Sequence, residues 1–185
     1  MKEIIFHGRG GQGAVVGADI LADAAMRDGK YSQSFPSFGA ERRGAPVMAF
    51  TRIDDKPIRV RCQIYEPDYI IVFDQTISET QNLTAGLKPD GSVIINTPLT
   101  ADEVRERKII NQGKIFPIDA TSIATKILGS PILNTVILGA FSAATEEVKL
   151  KSLFEAVENR FPKTVAEKNV KAMEEAYKAV KERSE

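Results

Sequence analysis

Four glycines near the start of the chain occupy a stretch whose chemistry could bind an anion. They combine the spacing G-x-G-x-x-G with one additional glycine: Gly8, Gly10, Gly11 and Gly13. The apolar residues 3–6 predict a buried strand before them, and residues 14–26 predict a helix that ends at the C-cap residue Gly29. A strand-to-helix turn of this kind exposes backbone N–H groups and the positive end of a helix dipole. The stretch therefore predicts an anion-binding turn.

The polar residues of the turn, Arg9 and Gln12, belong to the same candidate site, and Arg9 could add a positive charge. A nicotinamide site would also need an acidic residue about twenty positions later, and residues 31–36 contain no carboxylate. The alternative is that the glycines only let the first helix pack closely on the sheet, as the small residues Gly17 and Ala18 would allow. The candidate ligand contacts of the turn are Gly8, Arg9, Gly10, Gly11, Gln12 and Gly13.

A second concentration of positive charge lies between residues 40 and 63. This stretch contains six basic residues and only three acidic ones. The basic residues are Arg42, Arg43, Arg52, Lys56, Arg59 and Arg61, and the acidic ones are Glu41, Asp54 and Asp55. Arg42 and Arg43 stand in a loop flanked by glycines, where their guanidinium forks could bind phosphate or carboxylate groups. The alternative is a solvated loop or an ion pair with a partner. Arg59 and Arg61 are better explained as protection of an edge strand or as interface residues.

Four further residues have reactive or ionisable side chains to which no motif assigns a role. His7 could be a general base, but without a nucleophile motif we expect it to hold the turn by hydrogen bonds. Cys62 is expected on the inward face of a strand, as a small buried apolar residue. Asp74 and Asp119 follow apolar strands, where α/β proteins build their sites, although each could equally cap the next helix.

The second half of the chain alternates short apolar strands with helical windows. The predicted strands are Tyr69–Phe73, Val93–Asn96 and Lys114–Ile118. The pattern S/T-x-x-E at Thr100, Ser152 and Thr164 predicts three helix starts with capping boxes. The last helix carries an apolar stripe from Ala166 to Val180. This alternation is typical of an α/β protein.

Between the two halves, the pattern predicts one antiparallel hairpin. Residues 47–53 and 58–64 alternate apolar and polar side chains and are joined through residues 54–57, whereas residues 30–45 predict an ordered loop. The expected fold is α/β, with three layers α/β/α around a mixed, mainly parallel sheet and one antiparallel hairpin. We expect a single domain over residues 1–185, with an aromatic surface around residues 31–47 that a partner covers.

Composition narrows the classes of function. The chain has 185 residues, 43% of them hydrophobic, which is enough for one core. Its 25 basic residues balance its 25 acidic ones, so nothing in its net charge favours binding to nucleic acid or to a membrane surface. The single cysteine excludes an internal disulfide and a cysteine-ligated iron–sulfur cluster. With no leader pattern and no spanning apolar run, we expect a cytoplasmic protein.

Taken together, the motifs resemble the gamma subunit of 2-oxoacid:ferredoxin oxidoreductases, most closely the pyruvate type. The resemblance rests on the segments FHGRGGQGA at residues 6–14, FP at 35–36, FGAERRGAPV at 38–47 and NTVILGA at 134–140. It implies a complex with alpha, beta and delta chains that decarboxylates a 2-oxoacid, releases acyl-CoA and passes electrons to ferredoxin. Thiamine diphosphate and the iron–sulfur clusters are then expected in the partner chains only.

In such a complex this chain would be part of an enzyme without being active alone. We expect it to provide architecture and part of a coenzyme A site, in which Gly8–Gly13, Arg42 and Arg43 contact the phosphates. No metal ligand and no catalytic residue is predicted. Three alternatives remain open: a gamma-type subunit for a branched-chain 2-oxoacid, 2-oxoglutarate or indolepyruvate; a purely structural subunit; and an independent nucleotide-binding protein.

Overall fold

The computed structural model describes residues 1–37 and 44–183, and six strands within these ranges form one sheet. The strands are β1 (Lys2–Arg9), β2 (Tyr31–Pro36), β3 (Pro46–Asp54), β4 (Tyr69–Val72), β5 (Ser92–Asn96) and β6 (Lys114–Ile118). Their order across the sheet is β2-β3-β1-β4-β5-β6. The strands β1, β4, β5 and β6 are parallel, and β3 runs antiparallel to both β1 and β2. The mixed, mainly parallel sheet is therefore confirmed.

Helices cover both faces of the sheet, unequally. They are α1 (Ala14–Arg27), α2 (Ala101–Glu106), α3 (Ala120–Leu128), α4 (Val136–Thr145), α5 (Leu150–Arg160) and α6 (Lys163–Glu182), with a 3-10 turn at Gln75–Glu79. One face packs on α1 and α3 to α6, and the other on α2, the 3-10 turn and irregular chain. Strand β1 serves both cores, since Phe6 points to the first and Ile5 to the second. Among the described residues, no helix has the length and apolar character that crossing a membrane requires.

The predicted hairpin is wrong in its second strand. Strand β3 pairs with β2 on one side and with β1 on the other, so neither of its edges is left for residues 58–64. Those residues belong to no strand, and residues 31–36 form a strand where a loop was predicted. Alternation is a local signal that a segment can pair, and it does not show which edge is free. Cys62 is accordingly exposed rather than buried.

The helix boundaries were predicted in part. The capping box at Thr100 is present, with Glu103 N–H donating to the Thr100 hydroxyl at 3.3 Å and Glu103 accepting in return. The other two boxes are wrong, because α5 begins at Leu150 and α6 follows Pro162, so Ser152 and Thr164 lie inside the first turns. Ser152 instead donates to Asp28 at 2.6 Å, across to the end of α1.

Candidate functional site

The glycine turn joins the carboxyl end of β1 to the start of α1, at the edge of the sheet where α/β proteins bind ligands. It is fastened to the chain that leads into β3: Gly10 N–H donates to the Ala45 carbonyl at 2.9 Å, and Gly44 N–H donates to the Gly10 carbonyl at 3.2 Å. These bonds hold Gly44 and Ala45 against the turn. Arg42 and Arg43 themselves lie outside the described residues.

The first turn of α1 has no side-chain cap among the described residues. Its N-cap residue is Gly13. Gly17 N–H makes the first helical hydrogen bond, to the Gly13 carbonyl at 2.9 Å. No oxygen within the described ranges accepts from the N–H groups of residues 13–16. Such free amides, together with the positive end of the helix dipole, form a site that an anion can occupy.

The glycines of the turn serve two different purposes. A Cβ on Gly13, at a φ of 82°, would lie 2.8 Å from the Asn134 side-chain nitrogen, so this glycine permits close packing. Gly11 has a φ of 97° and would place a Cβ in open space, with no atom within 4 Å. Packing therefore requires Gly13, while at Gly11 the backbone is accessible to a ligand.

Asn134 is the residue of this site that sequence reasoning missed. It is buried, and its Oδ1 accepts from Thr135 N–H at 2.9 Å. Its Nδ2 lies against Gly13 and donates to no oxygen of the described residues. Among the described residues, the one buried side-chain atom without a hydrogen-bond partner is Oε1 of Gln75, so Nδ2 of Asn134 is accessible to water and can donate to a ligand. Asn134 was noticed only as part of a motif, because no spacing rule connects it with a turn so far away in the chain.

Arg9 and Gln12 clamp the turn to the neighbouring strand end. The Arg9 guanidinium donates to Asp74 at 3.0 Å, to the Thr76 hydroxyl at 2.8 Å and to the Gly44 carbonyl at 3.1 Å. Gln12 accepts from Arg9 N–H at 2.7 Å and donates to Asp74 at 3.3 Å. All three guanidinium nitrogens thus have protein acceptors. The charge predicted at Arg9 is present, but it is already paired.

Asp74 is the acceptor at the centre of this clamp. Burial alone would raise its pKa, but hydrogen bonds from Thr76, Arg9 and Gln12 outweigh burial and hold the pKa below its usual range. Asp74 also caps the 3-10 turn through Thr76 N–H, and Asp119 caps α3 through Ser122 N–H at 2.9 Å. The capping alternative is therefore confirmed for both aspartates.

A cleft of about 660 Å³ extends from the turn along the carboxyl ends of β4, β5 and β6. Its wall contains amide, hydroxyl and carboxylate groups, including those of Gln12, Asp74, Gln75, Asn96, Asp119 and Thr121. The Oε1 atom of Gln75 is itself buried and has no hydrogen-bond partner among the described residues. The amide, hydroxyl and carboxylate oxygens of the wall can accept hydrogen bonds from a polar group, whereas its two carboxylates disfavour phosphate.

His7 lies outside this cleft. It is buried in β1 and hydrogen bonds with the backbone of Leu83. Burial lowers its pKa to about 4 against that hydrogen bond, so the imidazole is neutral near pH 7. His7 forms a hydrogen bond as predicted, but its partner is Leu83, after the 3-10 turn, so the prediction that it holds the glycine turn is wrong.

Comparison with known proteins identifies the family. The family model described as pyruvate ferredoxin/flavodoxin oxidoreductase matches residues 3–179. The chain belongs to this family. It is 58% identical to the common gamma subunit of pyruvate/ketoisovalerate oxidoreductases from Thermococcus kodakarensis, over 96% of each chain. It is 55% identical to pyruvate synthase subunit PorC from Methanocaldococcus jannaschii, again over 96% of each chain.

A solved structure shares the fold across nearly the whole family domain. The pyruvate oxidoreductase subunit PORC from Thermotoga maritima superposes with a TM-score of 0.85 at 38% identity, covering 96% of this chain and 95% of that one. The predicted resemblance to the gamma subunit is thereby confirmed. The glycine turn and Asn134 both fall within the matched range.

Proposed function

We propose that the chain is the gamma subunit of a 2-oxoacid:ferredoxin oxidoreductase and that its glycine turn binds phosphate groups of coenzyme A. The family and the names of the relatives support the first part, with pyruvate or a related 2-oxoacid as substrate. The complex would oxidatively decarboxylate the 2-oxoacid to acyl-CoA and reduce ferredoxin. Thiamine diphosphate and the iron–sulfur clusters would reside in the alpha, beta and delta partners.

The uncapped start of α1 is the observation that carries the coenzyme A proposal. The amides of residues 13–16 and Nδ2 of Asn134, which donate to no acceptor among the described residues, lie beside Gly13. Each hydrogen bond to a charged phosphate oxygen contributes about 1.5–3 kcal/mol. Coenzyme A is the reactant of this reaction that carries several phosphates, so it fits a site made of donors only.

The charges around the turn determine where the phosphates would lie. Asp74 and Asp119 line the cleft, so the phosphates belong at the helix start and an uncharged part of the ligand belongs in the cleft. Because Arg9 is already paired with Asp74, additional positive charge must come from elsewhere. Arg42 and Arg43 are the candidates, since in the sequence they directly precede Gly44, whose N–H donates to the Gly10 carbonyl.

Single substitutions in the assembled complex test this proposal. Arg42→Ala or Arg43→Ala should raise the KM for coenzyme A roughly ten- to a hundredfold, the loss of one charge-assisted hydrogen bond, and leave the KM for the 2-oxoacid unchanged. Lysine should restore only part of the affinity, because it lacks the fork. Arg107→Ala, at an exposed arginine after α2, is the matched control and should change neither constant. An unchanged KM for coenzyme A in a complex that dissociates on gel filtration would show that the arginines anchor an interface instead.

A further inference from the structure

Residues 58–63 have the alternating pattern of a β-strand but pair with no strand of the described residues. Their apolar and polar side chains alternate, yet they belong to no strand, and residues 59–63 are all exposed. No N–H group of residues 58–65 donates a hydrogen bond to any described residue. Exposed backbone whose N–H groups donate to no described residue can pair with another chain.

A buried arginine holds this segment in place. Arg52 is fully buried in β3, forms an ion pair with Glu3 at 2.8 Å, and donates to the carbonyl oxygens of Cys62 at 2.8 Å and Gln63 at 3.3 Å. Ile64 then enters the second core. A partner would therefore meet a segment that is already ordered, and ordering it would cost little further entropy.

The surface of the segment is basic and partly apolar. Arg59 and Arg61 are exposed, and no carboxylate of the described residues lies within ion-pair distance of either. Val60 is 40% exposed and Tyr65 69% exposed, which is unusual for large apolar side chains. Arginine and tyrosine are among the residues that contribute most to interface energies. The segment thus concentrates positive charge and contact area in a neutral chain.

We propose that residues 58–63 pair with an extended acidic segment of another subunit of the complex, so that Arg59 and Arg61 meet its carboxylates. A second copy of this chain is a poor occupant, because self-pairing would bring these arginines against one another. Backbone hydrogen bonds would supply affinity, and the two arginines would select the partner. This inference rests on the proposed role of the chain as a subunit.

Hydrogen exchange in the assembled complex tests the pairing directly. The amides of residues 58–63 should exchange rapidly in the free chain and at least a hundredfold more slowly in the complex. Equally fast exchange in both states would overturn the inference. Slow exchange in the free chain that increases with its concentration would identify a second copy as the occupant and would also overturn it. If the wild-type chain joins no complex, the proposed function itself is wrong. If the chain joins the complex but residues 58–63 exchange as fast as in the free chain, only the pairing is wrong.

Charge reversal tests the chemistry of the partner. The double substitution Arg59→Glu with Arg61→Glu should weaken assembly at least tenfold, and added salt should then strengthen assembly rather than weaken it, because salt screens the repulsion between carboxylates. Lys163→Glu with Lys168→Glu, at two exposed lysines of α6, makes the same change in net charge and should assemble like the wild type. Equal weakening in both variants would refute a specific acidic partner. Circular dichroism of each variant confirms that the fold is intact.

Discussion

Replacing Gly11 by alanine separates ligand contact from backbone strain. Gly11 and Gly29 both have left-handed backbones, with φ of 97° and 80°, and a Cβ on either would meet no atom within 4 Å. Gly11 lies in the turn beside the cleft, whereas Gly29 follows the other end of α1. Alanine therefore imposes the same kind of strain at both positions, but only at Gly11 does it add a methyl group where we place the ligand.

The magnitudes follow from these environments. A left-handed conformation costs an L-residue about 1–2 kcal/mol, so both variants should lose roughly that much free energy of unfolding. Neither should lose more, since neither Cβ clashes with the protein. If a phosphate contacts the backbone at Gly11, the new methyl group must displace it and sacrifice about one charge-assisted hydrogen bond, which corresponds to a roughly tenfold to hundredfold increase in the KM for coenzyme A.

Urea unfolding of the free chain and steady-state kinetics of the complex measure the two effects separately. We expect equal losses of stability, and an increased KM for coenzyme A only in Gly11→Ala. The 2-oxoacid KM should be the same in both variants. If Gly11→Ala and Gly29→Ala give the same KM for coenzyme A, the turn does not contact this ligand, and its glycines serve the fold alone.

Two further predictions concern stability. The folded-state pKa of His7, about 4, lies below its ordinary value of 6.5, so the unfolded chain takes up the proton first as the pH falls. The free energy of unfolding should therefore decrease by roughly 3 kcal/mol between pH 6.5 and 4, and His7→Gln, compared by urea unfolding, should lack this component of the slope. A Cβ on Gly139 would overlap the Met173 carbonyl oxygen, so Gly139→Ala should cost about 1–3 kcal/mol in thermal unfolding. Gly17→Ala, whose Cβ would have only ordinary contacts, should be neutral or stabilising; equal loss in both would refute the steric explanation.

Local sequence patterns correctly predicted those strands and helices whose structure depends mainly on their own residues. The central residues of strands β4 and β5 are apolar because helices or irregular chain cover both faces of the sheet, and β6 was predicted at its observed bounds. Helix α1 was predicted to within a residue, since Gly29 takes the left-handed conformation that ends a helix. In these cases the residues of the element themselves determine the structure.

Elements that depend on distant partners were predicted poorly. Arg52 was counted as surface charge, yet it is fully buried, because Glu3 in β1 and carbonyl groups after residue 60 happen to surround it. The partner of β3 was misassigned for the same reason: the strand that pairs with it precedes it in the chain and has a mixed composition of serine, glutamine and aromatic residues. Which strands pair depends on the tertiary context of the whole sheet, so it cannot be predicted from a short segment of sequence.

The sequence predicted the backbone turn of the candidate site but not the side-chain contacts around it. Four separate parts of the chain meet there: the turn itself, Gly44, the end of β4 at Asp74, and Asn134. The Arg9 guanidinium is already hydrogen-bonded to Asp74, Thr76 and Gly44. The donors at the turn that remain available to a ligand are neutral: backbone N–H groups and the Asn134 amide. Neutral donors orient a phosphate well but provide only part of the charge that it needs. The coenzyme A proposal therefore requires additional positive charge at this turn, either from Arg42 and Arg43 or from arginine or lysine of a neighbouring subunit.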